Sequence, residues 1–216
     1  MIKNENDMPS VLEQFGFMEC DDVNLQIPDR DLLFYYKFAK DRIFFIDYEI
    51  TGELMLPIKE IIRINIEDAN IPVEKRKPII ICIQSYGGDL DITYTFIDIC
   101  AASKTPIYTV NMGVAMSAGL LLLLAGHKRF ALSHSQAMIH SGSAGFSGTF
   151  EQIEESQKSY QKQVAQMREY ILSRTNIEPK LFSRNKTKDW YISVDDQIKY
   201  GIVDKVITSL DEVFKV

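Results

Sequence analysis

Apolar positions along this chain fall into runs of two kinds. Lys77 to Gln84 (KPIIICIQ) is a continuous apolar stretch, the pattern of a strand covered on both faces, and Arg42 to Asp47 (RIFFID) is a shorter run of the same kind. Between them, Thr51 to Asn70 sets Leu54, Leu56, Ile58, Ile61, Ile62 and Ile66 mostly at helical spacing, and Asn70-Ile71-Pro72 stops it. The rhythm then repeats. Asp89 to Ser103 predicts a helix with Ile92, Phe96, Ile97 and Ile99 inward, and Pro106 to Met112 predicts a strand. A helix follows Ser117 through Leu120 to Ala125, and Lys128 to Leu132 and Ser135 to His140 predict two short strands. This alternation places the chain in the α/β class with one main core.

The ends carry different patterns. Residues 1–27 show little periodicity, so residues 1–28 are expected to form an N-terminal arm and residues 29–216 one domain. Asp29 to Ala39 carries Leu32, Leu33, Tyr35, Tyr36 and Phe38, which fits a short helix packing aromatics or serving a subunit contact. Gly142 to Gly148 is flexible by composition. Thr149 with Gln152 then makes a capping box that opens a helix to about Arg174, with Phe150, Ile153, Tyr160, Val164, Met167 and Ile171 on one stripe. At 1.5 Å per residue that helix is roughly 35–40 Å long. Its remaining surface is polar, so it reads either as a solvated outer helix or as an arm that meets a second subunit. Beyond it, Glu178 to Asn185 predicts a helix, Asp189 to Ile192 a connector, Val194 to Tyr200 a helix ended by Gly201, and Ile202 to Ile207 a closing strand.

Composition narrows the functional classes. Of 216 residues, 46% are hydrophobic and 25% charged, an ordinary globular balance that needs no staples. The formal net charge is −6 and no Lys/Arg block occurs, so neither nucleic acid nor an anionic membrane surface is an expected partner. The longest apolar run, Gly113 to Gly126, is too short to cross a bilayer and is interrupted by Ser117. Met1 to Asp7 is polar and acidic, without the apolar core of a secretory signal. Cys20, Cys82 and Cys100 are odd in number and widely spaced, which suits thiols in a reducing compartment. A cytoplasmic location is the expectation.

Candidate chemistry centres on Gly113-Val114-Ala115-Met116-Ser117-Ala118-Gly119. A serine with slim neighbours, where a β-type run meets an apolar helix, reads as an elbow that exposes a hydroxyl; the helix start behind it offers free N–H groups to a developing oxyanion. Ser117 is the candidate nucleophile, and a plain N-cap is the competing reading. Of the three histidines, His127 and His134 sit in turns and read as structural, whereas His140 ends a strand before the glycine-rich segment, where a side chain reaches a cleft edge. Gly87-Gly88 lacks the flanking pattern of a phosphate loop, and leaves either an oxyanion donor or a tight turn. No metal-ligand spacing is present.

Taken in order, Arg42-Ile43-Phe44-Phe45, Ser85-x-Gly87-Gly88, Gly113-x-Ala115-Met116-Ser117-Ala118-Gly119, Lys128-Arg129-Phe130, Met138-Ile139-His140 and Tyr200-Gly201-Ile202-Val203-Asp204 resemble the proteolytic subunit of Clp, the ATP-dependent caseinolytic serine protease family. The match spans about residues 30–208. The resemblance implies a crotonase-like α/β spiral of β-β-α units with a protruding strand-helix handle, here about residues 141–176. It implies Ser117 as nucleophile, His140 as general base and Asp189 as the acid that orients the imidazole, with Asp195, Asp196 and Asp204 as rivals for the third role. It further implies an oxyanion hole from the backbone N–H groups of Gly88 and Ala118, and a peptide groove near Leu90 and Ser143. In assembly it implies two stacked seven-membered rings fed by an AAA+ unfoldase. That partner hydrolyses the ATP, so this chain needs no cofactor.

Departures from the family pattern bear on the site. Tyr86 stands where the family usually has proline, which is expected to reshape the oxyanion turn. Ser141-Gly142 replaces the usual Gln-Pro after the histidine, Thr187-Lys188 replaces an acidic-Arg pair that serves ring-to-ring contacts in the family, and Trp190 replaces an arginine often found just after the Asp, so ring pairing is expected to be weaker or differently wired. Two other readings follow. A non-catalytic ring subunit is one, and a crotonase-like acyl-CoA enzyme is the other, although the latter's paired glutamates are not evident. A Ser-Lys dyad is a lesser variant of the peptidase reading.

Overall fold

Isoleucine-rich strands flanked by apolar helices set the architecture, which the computed structural model describes for residues 30–215. The expected arm at residues 1–28 and Cys20 lie outside the described residues. In chain order the first elements are α1 (Arg30–Lys40), β1 (Ile43–Ile46), α2 (Met55–Glu67), β2 (Ile79–Ser85), α3 (Leu90–Ala102) and β3 (Ile107–Met116). Then come α4 (Ala118–Ala125), β4 (Lys128–Leu132), β5 (Gln136–Ile139), α5 (Phe150–Arg174), α6 (Pro179–Asn185), β6 (Trp190–Ile192), α7 (Val194–Lys199), β7 (Lys205–Ile207) and α8 (Asp211–Phe214). By its contacts the chain divides between Phe34 and Tyr35, inside α1.

Strands β1, β2, β3, β4 and β7 lie side by side in parallel. The strand β3 serves two neighbours: Tyr108 to Asn111 pair with β4, and Val114 to Met116 pair with β5. The sheet therefore forks along β3. Strand β6 closes the second branch by pairing antiparallel with β5.

One face of the sheet is covered by α2, α3 and α4, and Ile46, Ile58, Ile61, Ile81, Ile83, Phe96 and the leucines of α4 form the main core there. All eight residues of α4 are buried, as an all-apolar helix requires. The opposite face carries a smaller cluster of Ile43, Ile80, Cys82, Val110 and Phe130, capped by Val213 and Phe214 of α8. Two buried polar groups hold the frame. Asp68 receives both guanidinium nitrogens of Arg42 at 2.7 Å and the Thr105 hydroxyl at 3.0 Å. In the fork, the Gln197 amide donates to the carbonyls of Ser135 and Ile192 and accepts from Asn111, whose amide also reaches the Gln136 carbonyl.

Three expectations shift. Strand β3 continues past Met112 through Met116, because pairing with β5 holds residues that the Gly113 break in the pattern seemed to release. Asp189 to Ile192 is not wholly a connector: Trp190 to Ile192 form β6, a strand too short to show alternation. Ile202 and Val203 are buried but lie in the turn after Gly201 (φ +65°), and β7 is only Lys205–Ile207. The capping box of α5 has both of its hydrogen bonds, and Met167 and Ile171 near its far end are its buried residues. Phe150 at the near end is 77% exposed. No helix among the described residues is long and apolar enough to cross a membrane.

Candidate active site

Ser117 joins the end of β3 to the start of α4 with φ 53° and ψ −123°, a conformation in which a side chain is strained. Its own N–H is held by the Met138 carbonyl of β5 at 3.0 Å, and its carbonyl accepts the N–H groups of Leu120 and Leu121 in the first turn of α4. The side chain carries no capping bond, so the plain N-cap reading fails. Small neighbours are required by contact. A Cβ on Gly119 would sit 2.8 Å from the Ser85 carbonyl oxygen, and one on Gly87 2.8 Å from Ser117 Cβ.

His140 follows the last residue of β5 and places Nε2 2.7 Å from Ser117 Oγ. Its Nδ1 lies 3.5 Å from Asp189 Oδ1. Register explains the second contact. Ile139 pairs with Trp190 across β5 and β6, so the next positions outward are His140 and Asp189. The imidazole is 24% and the carboxylate 56% exposed, leaving one edge of the site open to water. The rival carboxylates lie elsewhere: Asp204 binds Arg129, Asp196 approaches Lys199, and Asp195 is exposed on α7.

Gly87 (φ +114°) and Gly88 (φ +148°) form the facing wall. Ile50 straddles Gly88, donating to the Gly87 carbonyl and accepting from the Asp89 N–H, both at 2.8 Å. In such a parallel bridge Gly88 turns its own N–H to the other side, which is the cleft. A Cβ at Gly88 would lie 2.1 Å from the Ile50 carbonyl oxygen, so only glycine fits. Ser85 ties this turn down by donating to the Tyr48 carbonyl at 2.7 Å and accepting from the Gly87 N–H at 3.2 Å. The Tyr86 side chain is 74% exposed, and Gly87 lies against Ser117. Ala118, as the first residue of α4, has an N–H without an intrahelical acceptor.

Ser117, His140, Gly87 and Gly88 line an open cleft of about 920 Å³, with Leu90 and Ser143 also on its walls. Sequence reasoning missed two contributions. Tyr160, Gln163 and Met167 of α5 line the cleft, although the stripe carrying Tyr160 and Met167 signalled only packing and Gln163 lies off it. The Ile50 bridge to Gly88 is isolated, so no local pattern announces it. Among the described residues no three His, Cys, Asp or Glu side chains gather closely enough to hold a metal ion.

A crotonase-like α/β frame with an elbow hydroxyl against an imidazole, beside a glycine turn, has a layout suited to acyl transfer. The Clp protease family model matches residues 29–210, and the chain belongs to that family of peptidases. It is 30% identical over 207 residues to an ATP-dependent Clp protease proteolytic subunit of Deinococcus radiodurans, covering 95% of this chain and 94% of that one. An ATP-dependent Clp protease proteolytic subunit 1 of Bacillus cereus is 30% identical over 94% of this chain and 98% of its own length. Among solved structures, an asparagine-to-aspartate mutant of ClpP1 from Listeria monocytogenes superposes with a TM-score of 0.70 at 26% identity, covering 83% of this chain and 99% of that one.

Proposed function

We propose that this chain is a serine-type endopeptidase subunit of a Clp protease, with Ser117, His140 and Asp189 as its catalytic triad. One observation carries the reading: the 2.7 Å contact between Ser117 Oγ and His140 Nε2, made across residues far apart in sequence. Ser117 Oγ attacks the scissile carbonyl carbon while His140 Nε2 takes its proton. Asp189 faces Nδ1–H, holds the tautomer and stabilises the imidazolium. The oxyanion forms opposite the N–H groups of Gly88 and Ala118, each such donor contributing about 3–4 kcal/mol to the transition state. His140 then returns the proton to the leaving amine, and water hydrolyses the acyl-enzyme with His140 again as base.

The substrate lies extended. Gly88 presents an unpaired strand edge to the cleft, so a peptide adds there through its main chain, flanked by Leu90 and Ser143. Main-chain recognition selects weakly among sequences, so the site needs enclosure to spare folded proteins. Stacked seven-membered rings fed by an AAA+ unfoldase supply that enclosure, with the exposed near end of α5 meeting a second copy. ATP is spent by the unfoldase, this chain works without a cofactor, and the assembly is cytoplasmic.

A fluorophosphonate probe tests the chemistry. The expected result is a single labelled site at Ser117, lost in Ser117→Ala and in His140→Ala. Labelling at another residue, or none in an assembled sample whose size matches the double ring, overturns the reading.

A further inference from the structure

We propose that Ser141 is a positioning residue that holds Asp189 against His140, an inference that rests on the serine-peptidase reading. Asp189 is more than half exposed and meets His140 at 3.5 Å, so something beyond that contact must keep its segment in place. On one side the strand register does so, since Trp190 pairs with Ile139, the residue before His140. On the other side the pairing has ended. There the Ser141 hydroxyl donates to the carbonyl of Lys186, which lies in the loop leading into Asp189. The two residues flanking His140 thus grip the chain on both sides of Asp189.

Ser141 is itself fixed from a third direction. Its carbonyl accepts the Tyr160 hydroxyl of α5 at 3.2 Å, and Gly142 (φ +78°) passes so close beneath Tyr160 that a Cβ would lie 2.4 Å from that oxygen. Tyr160 also meets the Phe146 ring at 5.9 Å. The geometry points to a small hydroxyl residue at 141 as a pin through which α5, the histidine and the acid share one arrangement. Serine suits the position because its Oγ reaches a backbone carbonyl with a single rotatable bond.

The test measures the second-order rate of fluorophosphonate labelling at Ser117, with kcat and KM for a fluorogenic peptide, on the assembled full chain. Ser141→Ala is expected to slow labelling and lower kcat about fivefold, the rate equivalent of one ordinary hydrogen bond. KM should stay unchanged, and the thermal midpoint should fall by no more than about 2–4 °C, since one exposed hydrogen bond is lost. Ser141→Thr, which keeps the hydroxyl, should restore the rate. In an Asp189→Ala background, Ser141→Ala should have no further effect, since the pin then holds nothing. A wild-type rate in Ser141→Ala, or the same fivefold loss in both backgrounds, overturns the inference and leaves the peptidase reading standing. Absence of labelling in the wild-type chain overturns both.

Discussion

The backbone at Ser117 holds a side chain where glycine alone is at ease, and that strain has a measurable size. With φ 53° and ψ −123° the Cβ is crowded, at a cost of about 1–3 kcal/mol. Ser117→Ala and Ser117→Gly both remove the hydroxyl and its contact with His140, so the difference between the two variants isolates the Cβ. Glycine relieves the strain but gives up about 0.5–1 kcal/mol in unfolded-state freedom. Taking the middle of each range, the glycine variant should be more stable than the alanine variant by about 1 kcal/mol. For a chain of this size that is a thermal midpoint higher by roughly 2–4 °C. Thermal unfolding of both variants at one protein concentration reads the difference directly, because assembly makes the midpoint concentration-dependent. An alanine variant as stable as the glycine variant, or more so, would refute the claim that the elbow stores strain to expose its hydroxyl.

Two further outcomes follow from neighbouring geometry. Gly88→Ala forces a Cβ to within 2.1 Å of the Ile50 carbonyl oxygen, so the turn must shift and with it the N–H proposed as an oxyanion donor; labelling at Ser117 should slow by about a hundredfold or more, and a rate within threefold of wild type would show that this N–H does not serve the reaction. Arg42→Ala strands Asp68, which is 1% exposed, and should cost about 3–5 kcal/mol in urea unfolding at neutral pH. Hydrogen bonds from Arg42, and secondarily from Thr105, hold the Asp68 carboxyl below its usual range although burial pushes the other way. A carboxyl lowered in the folded state stabilises above its unfolded pKa of about 4 and loses that contribution as pH falls through the folded value. The wild type should therefore lose this group's contribution as pH falls below about 4, and a stability that does not decline there would contradict the pairing.

How much was legible follows the range of each interaction. Ser117 was visible because its requirements are local: slim neighbours, a change from strand to helix and a free helix start all lie within a few residues. Gly87-Gly88 was visible as a turn needing positive φ, but not as a wall held by Ile50, since an isolated bridge leaves no periodicity. Asp189 came from family likeness alone. Three residues of β6 are too few to alternate, and what places the carboxylate is the register Ile139 to Trp190, a pairing between segments far apart. Likewise the pattern ended β3 at Met112, because Gly113 is a poor strand residue; a partner strand, not propensity, carries it on to Met116.

That extension of β3 is what makes a catalytic geometry available. A strand paired to β4 along its whole length would bury its end within the sheet, and Ser117 would emerge beside β4 with no histidine near. Instead the sheet divides after Asn111, and the gap is filled by the Asn111 and Gln197 amides, which satisfy backbone groups of Ser135, Gln136 and Ile192. Apolar side chains there would strip the buried Ser135 and Ile192 carbonyls of these donors, at about 1–3 kcal/mol each. The amide pair thus permits the fork, and the fork lets β5 end beside the elbow and turn His140 toward it. Strand β6, aligned antiparallel on β5, then brings Asp189 to the far side of the same imidazole. The order Ser117, His140 and Asp189 in space is the order β3, β5 and β6 in the sheet.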